Sequence, residues 1–436
     1  TAASLCASIF IVALSDAIGS LANQKTESSD AEQFITGFLV FTLISVLLIY
    51  FFDITVTGYL SSILIIGLLL ITLSLKYSPI ALSSLRKSPK KVLITVFFLS
   101  LFTVLVVSGH QVHYDARVNH LFVSKLLFLH GDLSSAKIEY DRSNIHQLGG
   151  VYWHYPKLIS FLSASFCKMI GVWNDYTAIA GQTIFCQALI LGTLRFFKIA
   201  QQAFFFFLIF LCMGSNIYVG YLDTHIALLC ATIAIVVSAL GARASYVLML
   251  AAIVPFIKLE GVFFATGLYL CLQLQQQKSG GFLWVFAKEE RWKSFIVLVA
   301  GLVFILQYFA FNDQSDTRLV LNTDLTSIFQ RFILIFDFFL RDQTGILLVA
   351  LGLLILSNFN KSYQGKWLLW SSGCISCCVA GYLMLMGGDM TYFNFILNYG
   401  GPRVVHGVYA LLLFGLACEV WSFTTKKSGD KQALNT

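Results

Sequence analysis

"VLITVFFLSLFTVLVVSG", residues 92–109, runs directly into "HQVHYDARVNHLFVSKLLFLHGD", residues 110–132. The first stretch carries no charged residue. As a helix rising about 1.5 Å per residue, it nearly crosses the roughly 30 Å of a bilayer's hydrocarbon core. The second stretch presents Asp115, Arg117, Asn119 and His120 at once. So sharp a change from lipid-compatible to titratable sequence marks a chain leaving a membrane.

The composition agrees. Of 436 residues, 58% are hydrophobic and 12% charged, 40 are Phe, and the mean hydropathy is +0.79. No soluble domain hides that much apolar surface. Runs long enough to span occur at 3–22, 34–52, 56–75, 92–109, 175–194, 202–221, 224–241, 244–257, 260–275, 294–311, 343–358, 367–386 and 403–422. In lipid only a helix satisfies every backbone group at these lengths. The expected fold class is therefore all-α, a polytopic membrane protein of about 12–14 transmembrane helices. The run 244–257 is short, which implies tilt or a thin, water-filled interior. No signal-peptide cleavage pattern stands out. The chain divides into N-terminal spans (1–91), a core with the outer loop 110–174 (92–311), and an outer loop with C-terminal spans (312–436).

Loop 76–91 holds Lys76, Arg86, Lys87, Lys90 and Lys91 and no acid, which places it in the cytoplasm. Arg195, Lys198, Arg243, the segment Lys278 to Lys293, Lys361, Lys366, Lys426, Lys427 and Lys431 then fall on the same side. This requires 157–172 and 326–340 to lie along the outer surface as amphipathic helices, interrupted by Lys168 and by Arg331 and Asp337. The net charge of +7 is thus mostly a topology signal, and nucleic acid is not an expected partner.

That orientation gathers titratable groups at one face. His110, His113, His120, His130, His146 and His154 crowd the loop 110–156, while His225 and His406 stand at outer helix ends. Beside them fall Asp223 in "GYLDTH", Lys258 and Glu260 in "PFIKLEG", Asp389 in "GGDMTYFNF" and Arg403 in "YGGPRVVH". Polar side chains at membrane depth are costly and usually line an internal cavity. Such a collection from many helices is the pattern of a membrane-embedded active site; the plainer reading is a set of helix ends at the water boundary.

The order of these pieces carries a resemblance. A span is followed by "YDARVNH" and "HGD", then by "YWHYPKLISFLSASFCKMIGV", a span ending "LRFFK", a span closing on "YLDTH" and a span ending "PFIKLEG". Over residues 92–275 this resembles the GT-C superfamily of polyprenyl-phosphate-sugar glycosyltransferases, such as protein O-mannosyltransferases and lipid A aminoarabinose transferases. The family opens its first outer loop with an acid on a surface-lying helix, which Asp115 is similar to. "HYPKL" (His154, Pro156, Lys157, Leu158) is similar to the start of its second amphipathic helix. Asp223 and Lys258 are similar to its later outer Asp and its Lys before Gly. Ala116 stands where the family has a second acid, and Lys157 where it has a second proline. The resemblance implies a GT-C-like fold, a polyprenyl-phosphate sugar donor, and a glycan, lipid or protein acceptor. It also implies a bacterial cytoplasmic membrane location with the site facing the periplasm or exterior.

The chemistry gives those residues roles. Sugar transfer to a hydroxyl needs a base, and a partly dry carboxylate has its pKa raised toward a useful range. Asp115 is the base candidate. Negative charge develops on the leaving phosphate, which Lys157, Lys258 and Arg403 would stabilise. Asn119, His120, His154, Asp223 and Glu260 are candidates for substrate contact. On a helix Asp115 and Asn119 share one face, and Arg117, His120 and Ser124 another.

Simpler roles stand beside these: Asp115 as a helix cap, Lys258 and Glu260 as a snorkelling pair, Arg403 as a headgroup contact. No complete metal-ligand framework stands out, so no cofactor is expected, with a divalent metal the open alternative. Nearly all cysteines lie in apolar runs as small hydrophobes, and "GCISCC" at 373–378 lacks polar neighbours. The rival to an enzyme is a transporter or flippase, which would show internal repeats and charges near the midplane. No convincing repeat is found.

Overall fold

The computed structural model describes residues 2–22, 30–77, 96–102, 104, 120–143, 153, 156–193, 204–209, 222–240, 244–276, 291–311, 322–341 and 343–433. Asp115, Asn119 and His154 lie outside the described residues. Among the described residues every regular element is helical, without a strand. Among the described residues five helices are long and apolar enough to cross a membrane, and a sixth if one bent pair counts as a single span. The expected spans 175–194, 224–241, 244–257, 260–275 and 294–311 also fall on helices, while 92–109 and 202–221 run beyond the described residues.

Contacts divide the chain into two units. The first comprises Thr1–His225, Pro255–Leu259 and Glu290–Asp313. It begins with α1 (Ala2–Ala22), α2 (Asp30–Tyr50) and α3 (Val56–Tyr77). α1 and α2 form a hairpin so close that a Cβ on Gly37 would lie 1.7 Å from the Ser15 carbonyl oxygen, and one on Gly19 1.8 Å from that of Gln33. Small residues allow this approach. The hydroxyls of Ser8 and Ser15 are satisfied by the carbonyls one turn back, at 2.7 and 2.8 Å. Gly37→Ala is expected to cost about 1–3 kcal/mol by overpacking. Gly373→Ala, where a Cβ meets nothing within 4 Å, should stay within about 0.5 kcal/mol. Denaturant titration of both variants checks the contrast; equal losses would refute it.

α4 (Phe122–His130) and α5 (Leu133–Arg142) follow. Asp132 caps α5 by accepting from the Ser135 N–H at 2.7 Å. Asp53, in the α2–α3 turn, accepts from the N–H groups of Leu133 and Ser134 at 3.1 Å each. Two carboxylates thus satisfy the orphan donors of α5 and tie it to the hairpin end.

α6 (Leu158–Ile170) and α7 (Asp175–Thr193) come next, and α11 (Arg291–Phe311) packs on α2. Residues 158–167 of α6, which the sequence lays along the outer surface of the membrane, are all buried within the protein. Helices α2, α3, α4 and α7 pack around it. Its serines permit close approach: a Cβ on Gly181 would lie 2.8 Å from the Ser163 Cα. Only Lys168, Met169 and Ile170, at its C-terminal end, are exposed.

The second unit comprises Ile226–Val254, Glu260–Glu289 and Gln314–Thr436. It holds most of α8 (Asp223–Leu240), then α9 (Ala244–Ala251), α10 (Gly261–Gln276), α12 (Leu325–Arg341), α13 (Thr344–Phe359), α14 (Tyr363–Leu385), α15 (Met390–Phe395) and α16 (Gly401–Ala433). α10 meets α14 at Gly267, where a Cβ would lie 2.5 Å from the Ile375 Cα. α12 and α13 are the bent pair, at 69°. Buried Arg331 of α12 reaches the carbonyls of Met386 and Gly388 just past α14, which satisfies acceptors that a helix end leaves open.

Candidate functional site

Four of the described side chains that the sequence singles out, His120, Lys157, Asp223 and Lys258, come together in the first unit around the start of α8. Leu222 turns the chain, its carbonyl accepting from the His225 N–H at 3.0 Å. Asp223 opens the helix, where a carboxylate suits the positive end of the dipole. Its Oδ1 accepts from Lys258 Nζ at 2.8 Å, with side-chain exposures of 4% and 7%. Lys258 reaches that position because Pro255 cannot continue α9 and the chain turns through Val254–Phe256. Two charges so deep in the protein persist because each compensates the other's desolvation.

His225 adds a defined tautomer. Its Nε2 lies 3.0 Å from the Gln182 carbonyl oxygen. A carbonyl only accepts, so Nε2 carries the hydrogen, and Nδ1 holds the lone pair when the ring is neutral. Among the described residues the buried Gln182 carboxamide and Thr224 hydroxyl have no hydrogen-bond partner.

His120 stands just before α4, buried, with its carbonyl accepting from Ser124 at 2.7 Å and Ser160 at 3.3 Å. Burial chiefly, then Lys258 and Lys157, pushes its imidazole down to about 3, against the opposing pull of Asp223. It is therefore a neutral ring between two lysines. This buries the His120–Ser124 face into the protein.

Lys157 precedes α6, and its N–H donates to the Tyr50 hydroxyl at 2.6 Å. Its buried ammonium donates to the Trp153 carbonyl and lies 4.8 Å from the Trp153 ring centroid. Burial, and then neighbouring Lys137, lower its pKa to about 7.

His120, Lys157, Asp223 and Lys258 are thus one electrostatic group, to which His225 belongs. Glu260 and Arg403 fall in the second unit. Glu260 is half-buried at the entry to α10, where its carbonyl accepts from the Phe263 N–H at 3.1 Å. Arg403, also half-buried, lies in the first turn of α16. There Pro402, Val405, His406 and Tyr409 line a cavity of about 260 Å³ with Gln343, Gly345 and Ile346. At roughly 100° per residue, Arg403 stands off that lining face. Asp389 caps α15, accepting from the Tyr392 N–H at 2.7 Å, a structural duty. Among the described residues, no three His, Cys, Asp or Glu side chains gather as a metal site.

The site residues beyond the sequence candidates are Gln182, Trp153 and Tyr50, while the sequence shows His225 only as standing at an outer helix end. Gln182 carried a signal, a carboxamide inside an apolar run. Trp153 and Tyr50 carried none, since aromatic residues are common throughout this chain.

Comparison with protein-family models, with curated proteins and with solved structures finds no match to the chain.

Proposed function

We propose that the chain is a membrane glycosyltransferase of the GT-C type, moving a hexosyl or pentosyl group from a polyprenyl phosphate to a hydroxyl acceptor in cell-envelope glycan assembly. In this reading about 12–14 spans sit in a bacterial cytoplasmic membrane with the site on its outer face. The observation that carries the reading is the buried group His120, Lys157, Asp223, His225 and Lys258, drawn from separate segments whose sequence order resembles that family.

The reaction forms a bond between the acceptor oxygen and the anomeric carbon. It breaks the bond from that carbon to the phosphate oxygen, which leaves with the electron pair. Asp115 takes the acceptor proton. Lys157, with Lys258, offsets the charge left on the phosphate. A neutral His120 accepts or donates to sugar hydroxyls without adding charge. A transporter of the same lipid would also line a cavity with such groups, so the test must see bond cleavage.

Purified protein in nanodiscs is incubated with a polyprenyl-phosphate sugar extract and membrane acceptor, and lipids are read by mass spectrometry. Free polyprenyl phosphate accumulating with turnover is the expected result. Donor that crosses a proteoliposome bilayer intact, with no cleavage, would replace the enzyme by a carrier.

A further inference from the structure

Trp153 joins two lysines. Lys157 Nζ lies 4.8 Å from its ring centroid and Lys137 Nζ 5.8 Å. Tyr140 closes the cluster, its ring 5.1 Å from the indole and 5.4 Å from the Lys137 ammonium. Trp153 and Tyr140 are each 2% exposed. Among the described residues the buried indole N–H has no hydrogen-bond partner, an unusual state for a donor that normally finds one. Two ammonium groups over one indole ring, together with its N–H donor, form a cluster complementary to an oxyanion, which offers several acceptor oxygens at once.

We infer that Lys137, Trp153 and Lys157 form the seat of a lipid-linked phosphate, with Trp153 donating its N–H to a phosphate oxygen. This deepens the proposed function by moving the phosphate away from Lys258, whose ammonium is held by Asp223 at 2.8 Å. It rests on the reading of the ligand as a lipid phosphate, and it holds whether that lipid is cleaved or carried. Lys137 also pairs with Asp141 at 2.5 Å, one helical turn away. That carboxylate is half exposed, at 54%, so it competes with the phosphate for Lys137 from the solvent side.

The test uses the full chain in nanodiscs of neutral phosphatidylcholine, titrated with farnesyl phosphate and, separately, farnesol. Lys137→Met and Trp153→Phe should each weaken farnesyl phosphate binding about tenfold or more, the loss expected for a hydrogen bond or ion pair to a charged group. Asp141→Asn should tighten it by removing the competitor. Farnesol binding should not change. Lys137 is partly exposed, so its variant decides the matter if Trp153→Phe fails to fold. Wild-type binding that survives both weakening variants, or an equal loss of farnesol binding, overturns the seat and leaves the proposed function standing. No wild-type binding of farnesyl phosphate overturns the proposed function itself. Full displacement by phosphatidylglycerol would identify an ordinary headgroup contact and also overturn the inference.

Discussion

Lys258→Met on its own is expected to lower the stability of the protein by about 3–5 kcal/mol, the loss typical of a broken buried ion pair. The carboxylate of Asp223 keeps its burial and loses the ammonium 2.8 Å away. Asp223→Asn in the same chain should return most of that loss, because the charge needing compensation is gone. A double-mutant cycle by denaturant titration in lipid or detergent measures the coupling. A single-variant loss below about 1 kcal/mol would show that water reaches the pair. The pairing bears on function, because alanine at Lys258 confounds donor affinity with folding.

Much of this was legible in the sequence, for a physical reason. Lipid allows only closed hydrogen-bonding, so an apolar run such as 3–22 has one solution, and α1 follows it almost residue for residue. Polar side chains in such runs are expensive, which is why Asp223 and Lys258 drew notice before any contact was known. That they meet each other was not legible, since 35 residues separate them and each had other plausible partners. The enclosure of α6 was not legible: the same pattern of small and apolar residues suits an exposed helix and one enclosed by four neighbours. Packing closes it in, with Ser163 against Gly181. Trp153 stayed invisible because one tryptophan in an aromatic-rich chain signals nothing until its N–H is seen without a partner.

Asp115→Asn is expected to leave the protein folded and able to bind donor, yet to reduce transfer about a hundredfold or more, as a missing general base does. Asparagine keeps the size of the side chain and still caps a helix, so the substitution separates proton removal from capping. The structure sharpens the choice among carboxylates. Asp223 already has its charge committed to Lys258, and a base held by an ammonium is a poor proton acceptor. Asp389 is occupied as a cap. Asp115 stands beyond the span 92–109 and five residues before His120, which the structure buries beside the lysines. Single-turnover transfer, measured with donor binding in the same preparation, separates the two steps. Near-normal transfer by the variant would sink the assignment. His225 would then be the next base to test, since the Gln182 carbonyl fixes its hydrogen on Nε2 and makes Nδ1 the basic nitrogen of the neutral ring.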